Sequence, residues 1–529
     1  MDALPPASTS AAPTRADRRA LWAVVALAAA TALRLWLAYL PHWRQLWTDL
    51  IHDRTLHLDF GLSGASDLVH LRWIELARDV NAYRTWPPLH DGVMVGLTML
   101  LSGMNPKAAV IPDLLCFVGT AVMAFVLVRA LIDEGTPGAV VAATLVLVSP
   151  AMHAFATEVM IESAGACFTL VALHAAVLAA RDDSPRAWTH LARALLALFL
   201  IKYNYWLLVM VSLAPLLIRA WPVRSPRFRA LLWWHIVPSA VWLAIPGKFG
   251  RFVWYLSPGS NGGEFPTTNR LAGFSYYGAA LVQDYHVGLV SALCVATLAV
   301  VAVLAWTSGR LRAGAGLLLL FLLVSTLATV PHPNRKSRFL HASIPAVWVL
   351  AGVGASTLLQ RHRRAGLAAC GLFVALHAPG LLAAPHAPEG GLVLARPSAL
   401  TITDAYLPGL ASAKRPAVLS NMPMMFLARW TYMDRYPGRD KPTVIIRNYD
   451  AALSSEANAA VFTEWIEAGA SDVLVFVHVP PTSPWFQRVP GTDGLVALRA
   501  LVEQQRAMRL QARWTIPESG GTEVSVWVR

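Results

Sequence analysis

Apolar residues along this chain gather into long runs separated by short polar or basic stretches. Runs near 21–40, 110–130, 137–152, 161–180, 190–201, 203–220, 230–246, 287–306, 313–330, 339–358 and 365–384 read as eleven membrane-crossing helices, the full crossing needing about 20 apolar residues. Gly92 to Gly103 is too short for a crossing and reads as a re-entrant or interfacial helix. Between it and the first run the pattern changes. Val69, Trp73, Leu76 and Val80 recur at i, i+4, i+7 and i+11, with His70, Glu75, Arg78 and Asp79 on the other side. That spacing predicts an amphipathic helix lying on the bilayer surface. Trp86-Pro87-Pro88 then makes a rigid corner, because each proline fixes φ and restricts the residue before it. Asp67 falls at the head of the predicted helix, after a small-residue turn from Gly61 to Ser66, where a carboxylate serves as a helix cap.

Past the last apolar run the period shortens. Strands are expected at Ala417–Ser420, Thr443–Arg447, Asp472–Val479 and Glu523–Val528, with helices at Ala457–Ala468 and Leu495–Ala507 between them. Residues 385–529 therefore read as a small α/β domain outside the membrane, residues 1–20 as a disordered cytoplasmic tail, and 21–384 as the transmembrane domain with an outer loop at 41–91.

Composition agrees with this division. Hydrophobic residues make up 56% and charged residues 14%, at a mean hydropathy of +0.49, the profile of a polytopic membrane protein. The net charge of +13 is distributed in clusters beside the runs: Arg15, Arg18 and Arg19, then Arg129, Arg181 and Arg186, then Arg219 to Arg229, Arg310 and Arg312, and Arg361 to Arg364. With eleven alternating spans these fall on one side, which the positive-inside bias makes cytoplasmic. The protein is then a multi-pass protein of the cytoplasmic (inner) membrane, with a cytoplasmic N-terminus and a periplasmic or extracellular C-terminal domain. Basic residues divided in this way speak for contact with anionic membrane lipids and against nucleic-acid binding. Cys116, Cys167, Cys294 and Cys370 lie in apolar runs without zinc spacing, and the external domain has no cysteine for a disulfide framework.

Charges that break the pattern are the candidates for chemistry. Asp113 sits inside the second run beside Pro112, where an acid has either a function or a partner within the bundle. Glu158 and Glu162 are placed four apart on one helical face; like charges at that spacing repel and call for a metal, a lysine or a substrate. Lys202 interrupts two apolar runs and is followed by Tyr203, Tyr205 and Trp206, either as an interfacial anchor or as a phosphate ligand. The segment 247–286 is a long Gly-, Pro- and aromatic-rich loop whose Tyr255, Tyr276 and Tyr277 could stack on sugar rings. His332, Arg335, Lys336 and Arg338 place positive charge at the outer edge, against the general bias, which points to a local anionic partner such as a lipid-linked phosphate.

The acid opening an amphipathic helix, followed by the Pro87-Pro88-Leu89 corner and another apolar helix, resembles the first extracytoplasmic loop of the GT-C glycosyltransferases. That superfamily includes protein O-mannosyltransferases and aminoarabinose transferases. Ile201-Lys202-Tyr203 is similar to their Thr-Lys-aromatic break, and Arg338-Phe339-Leu340 with Ile344-Pro345-Ala346 to their Arg-Tyr-Leu and Pro-Ala pattern. Glu162 follows Pro150 at about the distance at which those families carry an acid. The chain departs from the pattern at Asp67-Leu68, where many members have Asp-Glu, and at Trp86, where many have His. The resemblance implies a GT-C-like fold and transfer of a sugar from a polyprenyl-phosphate-linked donor to a glycan, lipid or protein acceptor, with inversion. Asp67 is then the general base and Glu162 an acid positioning the acceptor or sharing a metal with it. Lys202, Arg335, Lys336 and Arg338 bind the donor phosphate, while Glu158, Tyr255 and His332 are further substrate contacts. Some members use a divalent metal such as Mg or Mn and others none, so the resemblance leaves the metal open. Two other classes fit parts of the pattern: a lipid or sugar transporter, and a polysaccharide ligase or polymerase using lipid-diphosphate glycans.

Overall fold

A computed structural model describes residues 14–41, 43, 52–82, 87–133, 135–221, 225–256, 271–309, 311, 314–332, 335–381, 399–411, 413–420, 427–436, 443–446, 468–469, 471–480, 499–500, 502–504, 508–517 and 521–529. The first helix, α1 (Arg15–Tyr39), opens with a capping box in which Thr14 and Asp17 satisfy each other's backbone N–H groups. Next come α2 (His52–Val69) and α3 (Trp73–Ala82), then a π-helical turn (Leu89–Val95) that runs into α4 (Gly96–Leu101). The bundle continues through α5 (Ile111–Leu131), α6 (Thr136–Val148), α7 (Pro150–Ala156), α8 (Ile161–Asp182), α9 (Pro185–Phe199), α10 (Tyr203–Ser212) and α11 (Ala214–Ile218). It goes on through α12 (Pro226–Leu231), α13 (Val237–Ala244), α14 (Lys248–Leu256), α15 (Ala272–Ala280), α16 (Leu289–Thr307), α17 (Ala315–Thr329), α18 (Ile344–Arg361) and α19 (Arg363–His377).

Each of the eleven apolar runs carries helix. Among the described residues five helices are long and apolar enough to cross a membrane, six if α6 and α7, bent by 62°, form one span. Pro150 sets that bend: lacking an N–H it cannot continue the α6 ladder, so it starts a new helix. The interior packs closely where side chains are smallest. A Cβ on Gly138 of α6 would run into the backbone of Gly352 on α18, which lets the two helices touch backbone to backbone.

Polar contacts tie the two ends of the bundle differently. At one end Arg129 pairs with Asp17 at 3.0 Å, the Thr136 hydroxyl donates to Asp17, and Gln360 Nε2 donates to the Asp133 carbonyl at 2.8 Å. Arg15, Arg18 and Arg19 in the first turns of α1 and Arg361 in the last turn of α18 lie at this end. The opposite end carries α2, the π turn, the starts of α5, α8 and α10, and the candidate site.

The surface helix begins later than its apolar period suggests. Ser66 to Val69 belong to α2, and a turn at His70 and Leu71, with Leu71 in the left-handed region at φ 55°, separates it from α3. Asp67 is therefore in the last turn of α2 and does not cap α3. The small residues 61–66 serve packing in place of a turn: a Cβ on Gly61 would meet the Asp91 carbonyl at 2.8 Å, so glycine lets α2 lie against the π turn. The segment 247–286 is also not an open loop, since α14, α15 and a π turn at Leu281–Tyr285 occupy its ends. Trp86, like residues 257–270, lies outside the described residues.

After α20 (Ala399–Tyr406), a five-stranded sheet forms from β1 (Pro416–Ser420), β2 (Thr443–Ile446), β3 (Val473–His478), β4 (Arg509–Ile516) and β5 (Thr522–Val528), in the order β2-β1-β3-β5-β4. A further helix, α21 (Leu427–Arg435), lies between β1 and β2 in the chain. The β1 strand runs parallel to β2 and β3, with Val418 opposite Val444 and Val475, and β5 runs antiparallel to β3 and β4. The unbroken Val-Leu-Val-Phe-Val of β3 suits a central strand buried on both faces. Four of the strands coincide with those expected from the sequence; β4 does not. It is a mostly exposed edge strand, in which Leu510, Ala512, Trp514 and Ile516 alternate with polar residues that include Arg509 and Arg513. Residues 499–500 and 502–504 of the expected 495–507 helix are helical, while 457–467 of the other lie outside the described residues.

Candidate active site

Buried charge collects at the end of the bundle where α2, α8, α10 and the segment before α18 meet. Glu162, in the first turn of α8, is fully buried and accepts a hydrogen bond from Lys202 Nζ at 2.7 Å. Lys202 is the residue just before α10, and its ammonium also stands 4.3 Å from the centre of the Tyr205 ring. On the other side of Glu162 lies Arg338, with Nε 3.9 Å from the same carboxylate oxygen. Arg338 sits in a 3-10 turn (Ser337–Leu340), and its backbone carbonyl accepts from the Tyr205 hydroxyl at 3.2 Å. The adjoining Ser337 carbonyl accepts from Tyr285 at 3.1 Å. Two cations thus meet on one buried carboxylate.

The two glutamates do not share a helix face. Glu158 precedes α8, in the turn after α7, and pairs with Arg54 of α2 at 3.0 Å, both side chains buried. Pro150 and the bent α7 take up the residues that an unbroken helical reading assigned to one span. Each glutamate thereby gains its own cation, which removes the repulsion expected at i, i+4.

A second polar chain, of which the sequence drew attention only to Asp113, joins α2 to the bundle. His57 Nδ1 lies 2.8 Å from Asp91 Oδ2, Asp91 Oδ1 lies 2.6 Å from His90 Nδ1, and His90 Nε2 lies 3.1 Å from Asp113. All four residues are buried. Burial alone would lower the His90 pKa, but Asp113 and Asp91 outweigh it and push it up to about 10. Burial would likewise raise Asp91; His57 and His90 hold it below the usual carboxylate range. His57 is also within electrostatic reach of Glu162, which links this chain to the cationic corner. The signal for these residues was faint: His57, His90 and Asp91 are single polar residues in a polar stretch, and only the fold stacks them.

The other sequence candidates are spread out. Asp67 is buried, but it stands 10 residues beyond His57 on α2, about 15 Å along the axis. Arg54, at the opposite end of α2, is the residue that faces Glu158. Asp67 is thus not brought to the corner that Lys202, Arg338 and Glu162 form. Arg335 and Lys336 are half-buried beside Arg338, and His332 packs edge-on against Phe339 at 6.0 Å. Tyr255 is on α14, its side chain outside those described; Tyr276 and Tyr277 stack edge to face at 5.1 Å. Among the described residues no three His, Cys, Asp or Glu side chains converge as a metal-binding set. The C-terminal segment reaches the same helix: Arg429 of α21 donates to Asp59 at 2.8 Å and to Ser63 at 2.7 Å.

A helical membrane bundle with an appended C-terminal sheet and a buried ionic corner at one end defines a polytopic membrane protein. Comparison with known proteins supports that class. The family described as dolichyl-phosphate-mannose-protein mannosyltransferase matches residues 86–245. The solved structure of ArnT from Cupriavidus metallidurans bound to undecaprenyl phosphate is similar over 95% of this chain and 97% of its own, at 15% identity and a TM-score of 0.57. Its apo structure is similar over the same shares, at 15% identity and a TM-score of 0.54. No curated protein matches. The resemblance drawn from the motifs and the fold found here thus agree, and the fold extends the likeness through the C-terminal domain.

Proposed function

We propose that this protein is a membrane glycosyltransferase that takes a sugar from a polyprenyl-phosphate-linked donor and passes it to an acceptor at the outer face. The observation that carries the reading is the corner at which Lys202 and Arg338 converge on Glu162. Donor cleavage leaves a polyprenyl phosphate, whose developing charge needs fixed cations more than a general acid. Lys202 and Arg338 supply them. Glu162 holds the two side by side, and Arg335 and Lys336 add positive charge along the approach. The ArnT structure bound to undecaprenyl phosphate and the mannosyltransferase family match favour the same donor class.

The acceptor hydroxyl loses its proton as it attacks the anomeric carbon, and an acid on α2 is the natural base. Asp53 is the acid in the first turn of α2, one residue before Arg54, which meets Glu158. We assign the base to Asp53. Asp67 is the second reading, favoured by its full burial at the far end of the same helix. A positioned base contributes about 10²–10⁴-fold to the rate.

Purified protein given radiolabelled polyprenyl-phosphate sugars, with membrane extract as acceptor source, tests the reading. Release of polyprenyl phosphate together with a labelled product, lost in Lys202→Met, is the expected result. Transport of labelled lipid across proteoliposomes without cleavage would identify a transporter instead.

A further inference from the structure

At the arginine-rich end, far from the ionic corner, a cavity of about 550 Å³ opens between α6, α18 and α19, within the range of lipid and small-molecule sites. Its walls are mostly apolar, from Val140, Leu359, Leu367 and Phe373, with Thr144 toward the interior and Arg363 at the mouth. It is open at the side, since Leu367 is 58% and Val140 38% exposed.

Two features say what fills it. Arg363 and Phe373 mark its extent on α19, and 10 residues of helix span about 15 Å, close to the depth of one leaflet's hydrocarbon layer. The mouth is positive: Arg361, Arg363 and Arg364 are all exposed there, and Gln360 beside them is engaged with the Asp133 carbonyl. An apolar groove of leaflet depth under a cluster of arginines matches a lipid whose head is an anion, as do basic clefts between membrane helices generally.

We propose that this groove binds an anionic phospholipid of the leaflet facing the arginine-rich end. One acyl chain lies along Val140, Leu359 and Leu367 toward Phe373, and the phosphate rests on the Arg363 guanidinium. The lipid completes the packing of α19 against α6 and α18, so it acts as a structural ligand of the bundle. The site is separate from the donor corner and does not depend on the activity proposed above.

The test uses the delipidated full chain in detergent, with dioleoylphosphatidylglycerol and dioleoylphosphatidylcholine titrated separately and binding read by native mass spectrometry. Phosphatidylglycerol is expected to bind about tenfold or more tightly than phosphatidylcholine. Arg363→Gln should lose about ten- to a hundredfold of that affinity, the value of a charge-assisted hydrogen bond. Arg364→Gln, outside the cavity wall, should change it by less than about threefold, and Thr144→Trp should block both lipids by filling the groove. Equal binding of the two lipids would overturn the proposal. Equal losses in Arg363→Gln and Arg364→Gln would do the same by showing diffuse surface attraction, and so would undiminished binding in Thr144→Trp. If Thr144→Trp does not fold, the two arginine variants decide alone. Undecaprenyl phosphate displacing phosphatidylglycerol at equal concentration would make the occupant a polyprenyl lipid and sink the assignment.

Discussion

Replacing Lys202 with methionine keeps the length of the side chain and removes its charge, leaving Glu162 buried beside Arg338 alone. With an effective dielectric constant of about 20, a unit charge pair is worth about 6 kcal/mol at the 2.7 Å of Lys202–Glu162 and about 4 kcal/mol at the 3.9 Å of Arg338–Glu162. Arg338 therefore compensates much of the lost attraction but makes no hydrogen bond of its own at that distance. Removing one partner of a buried pair costs about 3–5 kcal/mol, so Lys202→Met should fall near the lower bound, about 3 kcal/mol. Arg338→Gln should cost less, about 1–2 kcal/mol, because Lys202 keeps the direct bond. Glu162→Gln should cost most, about 5 kcal/mol, because it removes the carboxylate that two buried cations share. Unfolding of the purified variants in detergent, by heat or by denaturant, gives the order. The double variant Lys202→Met with Glu162→Gln should fall short of the sum by at least about 2 kcal/mol, the mark of direct coupling. If Lys202→Met costs less than about 0.5 kcal/mol, or the two changes add, the pair behaves as a solvated surface bridge and the buried corner is wrong.

Asp53→Asn should abolish transfer with donor binding retained, whereas Asp67→Asn should leave a measurable rate; the reverse outcome in a labelled-donor assay would move the base to Asp67. Arg338→Gln should weaken donor-analogue binding about ten- to a hundredfold in detergent, with Arg338→Lys recovering only part, since lysine lacks the planar two-pronged fork. His90, raised to about 10 by its carboxylates, stabilises the fold fully below its ordinary value of 6.5 and loses that contribution as pH rises through about 10. Thermal unfolding should therefore shift down across this interval in the wild type and less in His90→Gln, and parallel curves would refute the His90 assignment. Arg429→Ala removes a cation from buried Asp59, so it should destabilise the chain by about 3–5 kcal/mol and increase protease cutting of the C-terminal segment, whereas an unchanged digestion pattern would mean that α21 does not rest on α2.

Continuous apolar runs could only be helices in lipid, because a spanning backbone must satisfy its hydrogen bonds internally, and the sequence therefore determined the bundle by itself. The strands β1, β2, β3 and β5 were legible for a similar reason: short apolar stretches between turns leave few alternatives. Lys202, Glu162 and Arg338 stood out because charge beside lipid is costly, yet nothing in their spacing said that they meet. Glu162 lies 40 residues from Lys202 and 176 from Arg338, and only the packing of α8 against α10 and the turn before α18 brings them together. Arg54, His57, His90 and Asp91 were illegible because single polar residues in a polar stretch have an obvious solvated reading. Tertiary structure overrode that reading by burying them. Asp67 shows the opposite failure: its local capping signal was real in kind, but the small residues 61–66 continue α2 and pack against the π turn, which leaves Asp67 in the last turn of that helix. Local period says which residues face lipid; which charges share a buried corner is decided where helices cross.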